Sequence, residues 1–300
     1  MKRQEWLNER KTYIGGSDVA SIIGVSPWKT ALELYQEKID GVTENDNNYT
    51  EWGALLEPVV ADMYSKNTGN KVVEPIGLIR HKEYPFLAAN IDRFVNGGEY
   101  ILECKTAGFP MRSKWGQEGT DEIPPAYYYQ VAYYAAIVDV PKVDIAVLIG
   151  GNDFRIYRYM RNREVENKLL KIAINFWNNH ILTKTPPEAS NLSDLDLLYP
   201  KSNGSEIVLS GEVLNDIEKY KALKSQIKEL EKDATYLQGS IKKYMQDNEL
   251  LVDTEGQVYA TWKMGKVRET LDTKKLQSEH QDIYQQYLKE SKAPRVLRLK

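Results

Sequence analysis

The chain holds a single cysteine, Cys104, and three histidines, His81, His180 and His280, among 300 residues. One thiol excludes an internal disulfide framework and a four-cysteine iron–sulfur cluster, and the scattered histidines lack zinc-ligand spacing. No apolar run reaches membrane-spanning length, and the opening MKRQEWLNERK is charged from the outset, so neither a signal peptide nor a membrane anchor is expected and a cytoplasmic location follows. Positive charge is not in excess either. The formal net charge is −3, which excludes whole-chain attraction to a polyanion and requires any nucleic-acid contact to use locally concentrated basic residues. Phenylalanine is scarce, at 5 against 20 tyrosines, a ratio that by itself points to no function.

What is present is ordinary globular material, 42% hydrophobic and 28% charged, enough for one large domain or a domain with an appendage. Within it, the segment FLAANIDRFVNGGEYILECKTAG puts turn residues Asn96-Gly97-Gly98 between two apolar runs, which predicts a hairpin whose strands carry Asp92 and Glu103. Strand alternation places Glu103 and Lys105 on one face and Leu102 and Cys104 on the other. Two carboxylates suit Mg²⁺ or Mn²⁺, which activate water and bridge a scissile phosphate. A nearby ammonium neutralises developing charge. The pattern points to phosphodiester hydrolysis; by itself it is also compatible with an exposed charged strand.

Other residues extend the pattern. Ser17 precedes the apolar stretch Val19-Ala20-Ile22-Ile23 and reads as an N-cap, with Gly15 and Gly16 permitting close backbone approach to an anion. Glu57 sits among Leu55, Leu56, Val59, Val60 and Met63 on a helix predicted to end before Gly69, and a carboxylate there needs a cation or an ion-pair partner. Pro58 predicts a bend. Gln130 lies in the helical segment PPAYYYQVAYYAAIVDV, whose tyrosines are expected in the core. Arg10, Lys11, Lys29, Arg112 and Lys114 are the local basic candidates for DNA contact, the last two in the long loop FPMRSKWGQEGTDEIPPA.

Five segments fall in the order of a known family. RKTYIGGSDVASIIGVSPW, the helix with Trp52-Gly53-Ala54-Leu55-Leu56-Glu57-Pro58, Asp92, Glu103-Cys104-Lys105 and Tyr129-Gln130-Val131 resemble the YqaJ-type phage recombinases, relatives of lambda exonuclease in the PD-(D/E)xK nuclease superfamily. The likeness covers about residues 5 to 180. It implies two Mg²⁺ ions, replaceable by Mn²⁺, held by Asp92 and Glu103 with help from Glu57 and the Cys104 carbonyl. Lys105 would be the catalytic lysine, Gln130 its orienting partner, and Arg10 and Ser17 the grip on the 5′-terminal phosphate. The implied activity is a 5′-to-3′ exonuclease acting on double-stranded DNA ends to leave 3′ overhangs for recombination. The implied partner is a phage single-strand annealing protein, with a ring trimer as the assembly. A nicking or structure-specific endonuclease, or a noncatalytic DNA-end module, are the alternative readings. The run Asn90-Ile91-Asp92-Arg93 departs from the family in lacking Pro before the Asp and Gly after it, which leaves Arg93 to meet DNA or pair with Glu99.

The expected fold is α/β: a restriction-endonuclease-like core, a central mixed β-sheet flanked by helices, with a helical C-terminal arm and a small α+β tail. Helices are predicted near 2–11, 18–23, 27–39, 50–68 and 163–180, and strands near 71–80, 86–95 and 99–106, with two more in VDIAVLIGG and DFRIYRYM. Residues 1–185 form the expected nuclease core, 186–210 a connector, and 211–300 the arm and extension. In the arm, Leu223, Ile227, Leu230, Ala234, Leu237, Ile241 and Tyr244 recur at steps of four and three, a coiled-coil-like stripe expected to pack against something. The basic end KAPRVLRLK is left between DNA contact and solvation.

Overall fold

The computed structural model describes residues 8–41, 48–289 and 295–299. Most of the helix expected over 2–11, and part of the basic C-terminal end, lie outside the described residues. The chain forms two compact units, Met1–Leu198 and Tyr199–Lys300.

In the first unit, helices α1 (Gly16–Ile22), α2 (Ala31–Ile39) and α3 (Asn48–Thr68) precede the strands. α2 starts four residues later than the sequence pattern predicts, because Thr30 and Glu33 close a reciprocal capping box that fixes the first turn. The strands follow as β1 (Val72–Val73), β2 (Ile79–Arg80), β3 (Ala88–Ala89), β4 (Arg93–Val95) and β5 (Tyr100–Ala107). Two expected strands are thus each split in two. Pro75 and left-handed Gly77 break the first, and its halves join different sheets. Next come α4 (Pro125–Val138), β6 (Lys142–Ile149), β7 (Asp153–Met160), α5 (Arg163–Phe176) with a π turn at Trp177–Ile181, and α6 (Leu192–Leu198). This last helix falls within the stretch 186–210, where Asp194 accepts from Ser190 and Thr30.

The central sheet has the order β1-β4-β5-β6-β7, antiparallel except for the parallel β5/β6 pair that α4 crosses between. Helices flank both faces, so the mixed-sheet core expected from the sequence is present. Ile101, Val143, Ile145 and Val147 pack toward α1, α4 and α5; Tyr100, Leu102, Cys104 and Ala146 pack toward α3. The β4–β5 turn runs through Asn96, Gly97 and Gly98, all at positive φ. Three consecutive left-handed residues explain why that turn is written Asn-Gly-Gly.

The tyrosine excess has a structural reason. Tyr64, Tyr133, Tyr157 and Tyr159 are fully buried, and their hydroxyls donate to Asp144, the Ile14 carbonyl, the Gly116 carbonyl and Glu166. Phenylalanine at these positions would leave buried acceptors unmatched.

The second unit contains α7 (Gly211–Met245), a hairpin of β8 (Leu250–Val252) and β9 (Val258–Thr261), and short helices α8 (Thr273–Glu279) and α9 (Gln281–Tyr287). Among the described residues of this unit, no second helix covers the apolar stripe of α7. Leu223, Ile227, Leu230, Leu237, Ile241 and Tyr244 are all exposed, and only Met245 at the end of the helix is buried.

Candidate active site

β5 carries the centre of the site. Glu103 is 3% exposed and turned to the α4 side of the sheet, and Lys105 lies on the same face. Lys105 Nζ donates to Glu103 Oε1 at 2.5 Å, and Gln130 Nε2, from α4, donates to the same oxygen at 2.8 Å. Tyr134 Oη, one turn along α4, accepts from Gln130 Nε2 at 3.1 Å. The lysine, the glutamate and the glutamine read separately from the sequence therefore meet in one hydrogen-bonded group.

Asp92 sits one residue before β4, in a bend rather than within a strand. The β4/β5 ladder ends at Arg93↔Leu102, and Asp92 Oδ2 accepts from the Cys104 backbone N–H at 2.6 Å. In an extended strand the N–H and C=O of one residue point to the same edge, so the Cys104 carbonyl also faces the Asp92 side. The Cys104 thiol packs toward α3, where burial pushes it up, away from thiolate chemistry.

The electrostatics call for a cation. Burial, and then the Glu103 charge, push the Asp92 carboxyl up to about 8. Glu103 is likewise raised by burial, against the pull of Lys105. Burial opposes the charge on Lys105, but Glu103 and Asp92 outweigh it and hold the ammonium above its ordinary value. Glu103 Oε2 is buried without a hydrogen-bond partner. Two mutually repelling carboxylates, an orphaned oxygen and a carbonyl on the same edge fit a hard divalent ion. Among the described residues no group of three or more His, Cys, Asp or Glu side chains is arranged to cage a metal, so the ion would need water or phosphate oxygens in its shell, as Mg²⁺ commonly does.

Glu57 lies on the inner face of α3 with Val60, Ala61 and Tyr64. The apolar face inferred from the sequence was misplaced: Leu55, Val59 and Met63 point outward with Trp52, and α3 runs unbroken through Pro58. Arg93 Nη1 donates to Glu57 Oε1 at 2.7 Å and to the Asp92 carbonyl at 2.6 Å, while Nη2 stands 3.4 Å from Glu74. Arg93 therefore pairs with Glu57 and Glu74 instead of Glu99. It takes the ion-pair role that the sequence left open for Glu57.

A pocket beside the carboxylates is lined by Arg10, Tyr13, Gly15, Gly16, Ser17, Asp18, Asn90, Asp92, Glu103, Gln130 and Tyr134. It brings Arg10 and Ser17 to the same cleft as Asp92 and Glu103. The N-cap of α1 is Gly15 rather than Ser17, because Asp18 reaches back to accept from the Gly15 N–H at 2.9 Å and fixes the turn two residues earlier. Gly16 also has a steric reason to be small. A Cβ there would stand 2.4 Å from Tyr134 Cε1 and 3.0 Å from Gln130 Cγ. Arg10 Nη2 lies 3.4 Å from Asp18 Oδ1. Sequence reading passed over Asp18, Asn90, Tyr13 and Tyr134; the Gly15-x-x-Asp18 spacing was a usable capping signal for the first.

Arg112 and Lys114 lie elsewhere, on a 3₁₀ turn at Phe109–Lys114 that interrupts the expected loop. Both are exposed, and Arg112 Nε donates to Asp153 at 3.0 Å. Lys11 donates to the Asp40 carbonyl and Lys29 to Glu37, so most of the expected basic cluster is engaged locally.

The fold and site define a class: a mixed-sheet α/β protein with one buried and one partly buried carboxylate and a lysine converging at the open end of its central hairpin. Residues 5–141 match the model of the YqaJ-like viral recombinase domain. The YqaJ protein of Bacillus subtilis strain 168 is 36% identical over 300 residues, covering 97% of this chain and 92% of that protein. The chain belongs to the YqaJ-like viral recombinase family. A 59-residue stretch is 39% identical to protein D345L of African swine fever virus, covering 19% of this chain and 17% of that protein. Among solved structures, the alkaline exonuclease LHK-Exo from Laribacter hongkongensis, in its complex with dAMP, is similar at a TM-score of 0.48 and 19% identity. That match covers 60% of this chain and 93% of the other. Among the described residues no helix is long and apolar enough to cross a membrane.

Proposed function

We propose that this protein is a metal-dependent DNA exonuclease of phage or prophage origin that digests the 5′-terminated strand from double-strand ends and leaves 3′ overhangs for homologous recombination. The observation that carries this reading is the placement of Lys105 and Gln130 on one oxygen of Glu103, beside Asp92. Asp92, Glu103 and the Cys104 carbonyl would hold Mg²⁺ or Mn²⁺, with Glu57 as a further ligand once it turns from Arg93. The bound ion supplies an activated water and charge neutralisation on the phosphate. Lys105 then presents an ammonium to the reacting phosphate, and Gln130 holds Glu103 in its rotamer. Arg10, with Ser17 in the first turn of α1, would take the 5′-phosphate exposed by each cut. Double-stranded DNA ends are the proposed substrate, a single-strand annealing protein the proposed partner and a ring trimer the proposed assembly, all by family resemblance.

The test is digestion of 5′-phosphorylated linear, 5′-hydroxyl linear and covalently closed circular DNA by the wild type and Lys105→Ala, with Mg²⁺ and with EDTA. Expected are Mg²⁺-dependent loss of linear DNA only, faster from phosphorylated ends, and loss of activity in Lys105→Ala. Cutting of closed circles would identify an endonuclease, and DNA binding without digestion a noncatalytic end-binding module. Digestion that survives Lys105→Ala would place the chemistry elsewhere.

A further inference from the structure

We propose that the open face of Trp28 is a nucleobase-stacking subsite on the Lys105 side of the site, taking the base of a nucleotide adjacent to the scissile phosphate; this rests on the nuclease reading above. Trp28 is 64% exposed, although tryptophan is among the largest apolar side chains a protein can leave in water. It is the outermost ring of an aromatic ladder. Its centroid lies 5.7 Å from that of Tyr127 at an interplanar angle of 34°; Tyr127 stacks on buried Trp115 at 5.6 Å, and Trp115 meets Tyr157 at 5.2 Å. The inner rungs anchor the outer one to the core.

The ladder also touches the chemistry. Lys105 Nζ stands 4.9 Å from the centroid of Tyr127, so a single ring separates the exposed indole from the lysine assigned to the phosphate. A base is set off from its own phosphate in the same sense, by the sugar between them. The segment that presents Trp28 is held in place. Val25 and Ser26 donate their N–H groups to the Ala20 carbonyl, the Trp28 N–H donates to Ser26 Oγ, Lys29 pairs with Glu37, and Thr30 caps α2. A platform fixed before binding loses little entropy on stacking.

Stacking suits this enzyme chemically. Every base has a π face, so an aromatic platform grips all four without reading sequence, whereas a hydrogen-bonding pocket would discriminate among them. An exonuclease that removes each nucleotide in turn needs that tolerance.

The experiment compares wild type, Trp28→Ala and Trp28→Phe on duplexes whose terminal nucleotides on the digested strand are natural or abasic. On natural ends Trp28→Ala should raise KM by about 5- to 150-fold, the range of base–aromatic stacking, with kcat little changed, and Trp28→Phe should fall between. The wild type should lose a similar factor on abasic ends, to which Trp28→Ala should be indifferent. An unchanged KM in Trp28→Ala, or equal losses on natural and abasic ends, would overturn the subsite and leave Trp28 a surface residue or a contact for something other than a base. A second measurement needs no catalysis: anisotropy of labelled oligothymidylate and of an abasic strand, with Ca²⁺. Weaker oligothymidylate binding by Trp28→Ala, with the abasic strand bound equally by both proteins, supports the subsite even if the nuclease reading fails. Activity that survives Lys105→Ala would sink that reading alone.

Discussion

Lys38 Nζ donates to Asp18 Oδ2 at 2.7 Å, and neither side chain is more than 3% exposed. The same ammonium donates to the Arg10 carbonyl at 2.7 Å, while Asp18 accepts from Gly15 and lies beside the Arg10 guanidinium. One buried ion pair thus ties α1, α2 and the segment bearing Arg10 together at the edge of the cleft.

Breaking that pair from one side leaves a buried charge without its partner, so Lys38→Met should destabilise the protein by about 3–5 kcal/mol in thermal or denaturant unfolding. Adding Asp18→Leu should recover most of the stability but not the proposed preference for 5′-phosphorylated ends, which would depend on where Arg10 is held. Recovery of both would reduce the pair to a fold-stabilising contact.

The same pair makes an acid-sensitive joint. Burial raises the Asp18 carboxyl, but Lys38 and then Arg10 outweigh it and leave it below the ordinary carboxylate range. A depressed carboxylate stabilises the fold above its unfolded value and loses that contribution as pH falls through the folded one. Asp18→Asn should flatten the fall in thermal midpoint on acidification below about pH 4; an unchanged profile would exclude this source.

Asp92 has the opposite sign. Its carboxyl is pushed up to about 8, so in metal-free protein its contribution to stability is complete below the unfolded value near 4 and drains away as pH climbs to about 8. Asp92→Asn should therefore raise the thermal midpoint in EDTA, slightly at pH 5 and most at pH 8.5, by about 2–4 °C for each kcal/mol of repulsion relieved. Activity should vanish. A midpoint that does not respond to pH would mean that Asp92 and Glu103 do not repel.

The same raised carboxyl makes metal uptake compete with a proton. The affinity for Mn²⁺, measured by calorimetry without DNA, should rise by up to about tenfold per pH unit from about 6 to 8 and level off above. Buffers of different ionisation enthalpy should report about one proton released per ion at pH 7. No release would remove Asp92 from the ligand set.

Gly16→Ala should cost about 1–3 kcal/mol, because its methyl would collide with Tyr134 and crowd Gln130. Gln130 would be pushed from Glu103, and kcat should fall by at least about tenfold, which corresponds to only about 1.4 kcal/mol of barrier. A variant with normal kcat would separate Gln130 from the reaction.

Much of the site was legible because strand alternation is strict. Once Asn96-Gly97-Gly98 marked a turn, Glu103 and Lys105 had to share a face, and the α4 helix that crosses between β5 and β6 brought Gln130 to it. What stayed hidden depended on contacts between distant segments. The inner face of α3 is set by Tyr64 reaching Asp144, and no periodicity around Glu57 distinguishes it from the outer one with Leu55 and Met63. Arg93 found Glu57 across 36 residues, and Lys38 found Asp18 across 20. The α1 start moved because a side-chain cap from Asp18 outweighed the serine that stood in the expected place.

β4 stops pairing with β5 at Arg93↔Leu102, and the next inward-facing amide, that of Cys104, is met by the carboxylate of Asp92. Had the zipper run one rung further, a main-chain carbonyl would fill that slot and seal the seam, and a negatively charged oxygen would have no doorway onto the ribbon. The proposed chemistry would be owed to a termination: the hairpin is cut short on one side, and the exposed rung leaves Asp92 an opening that an ion could share.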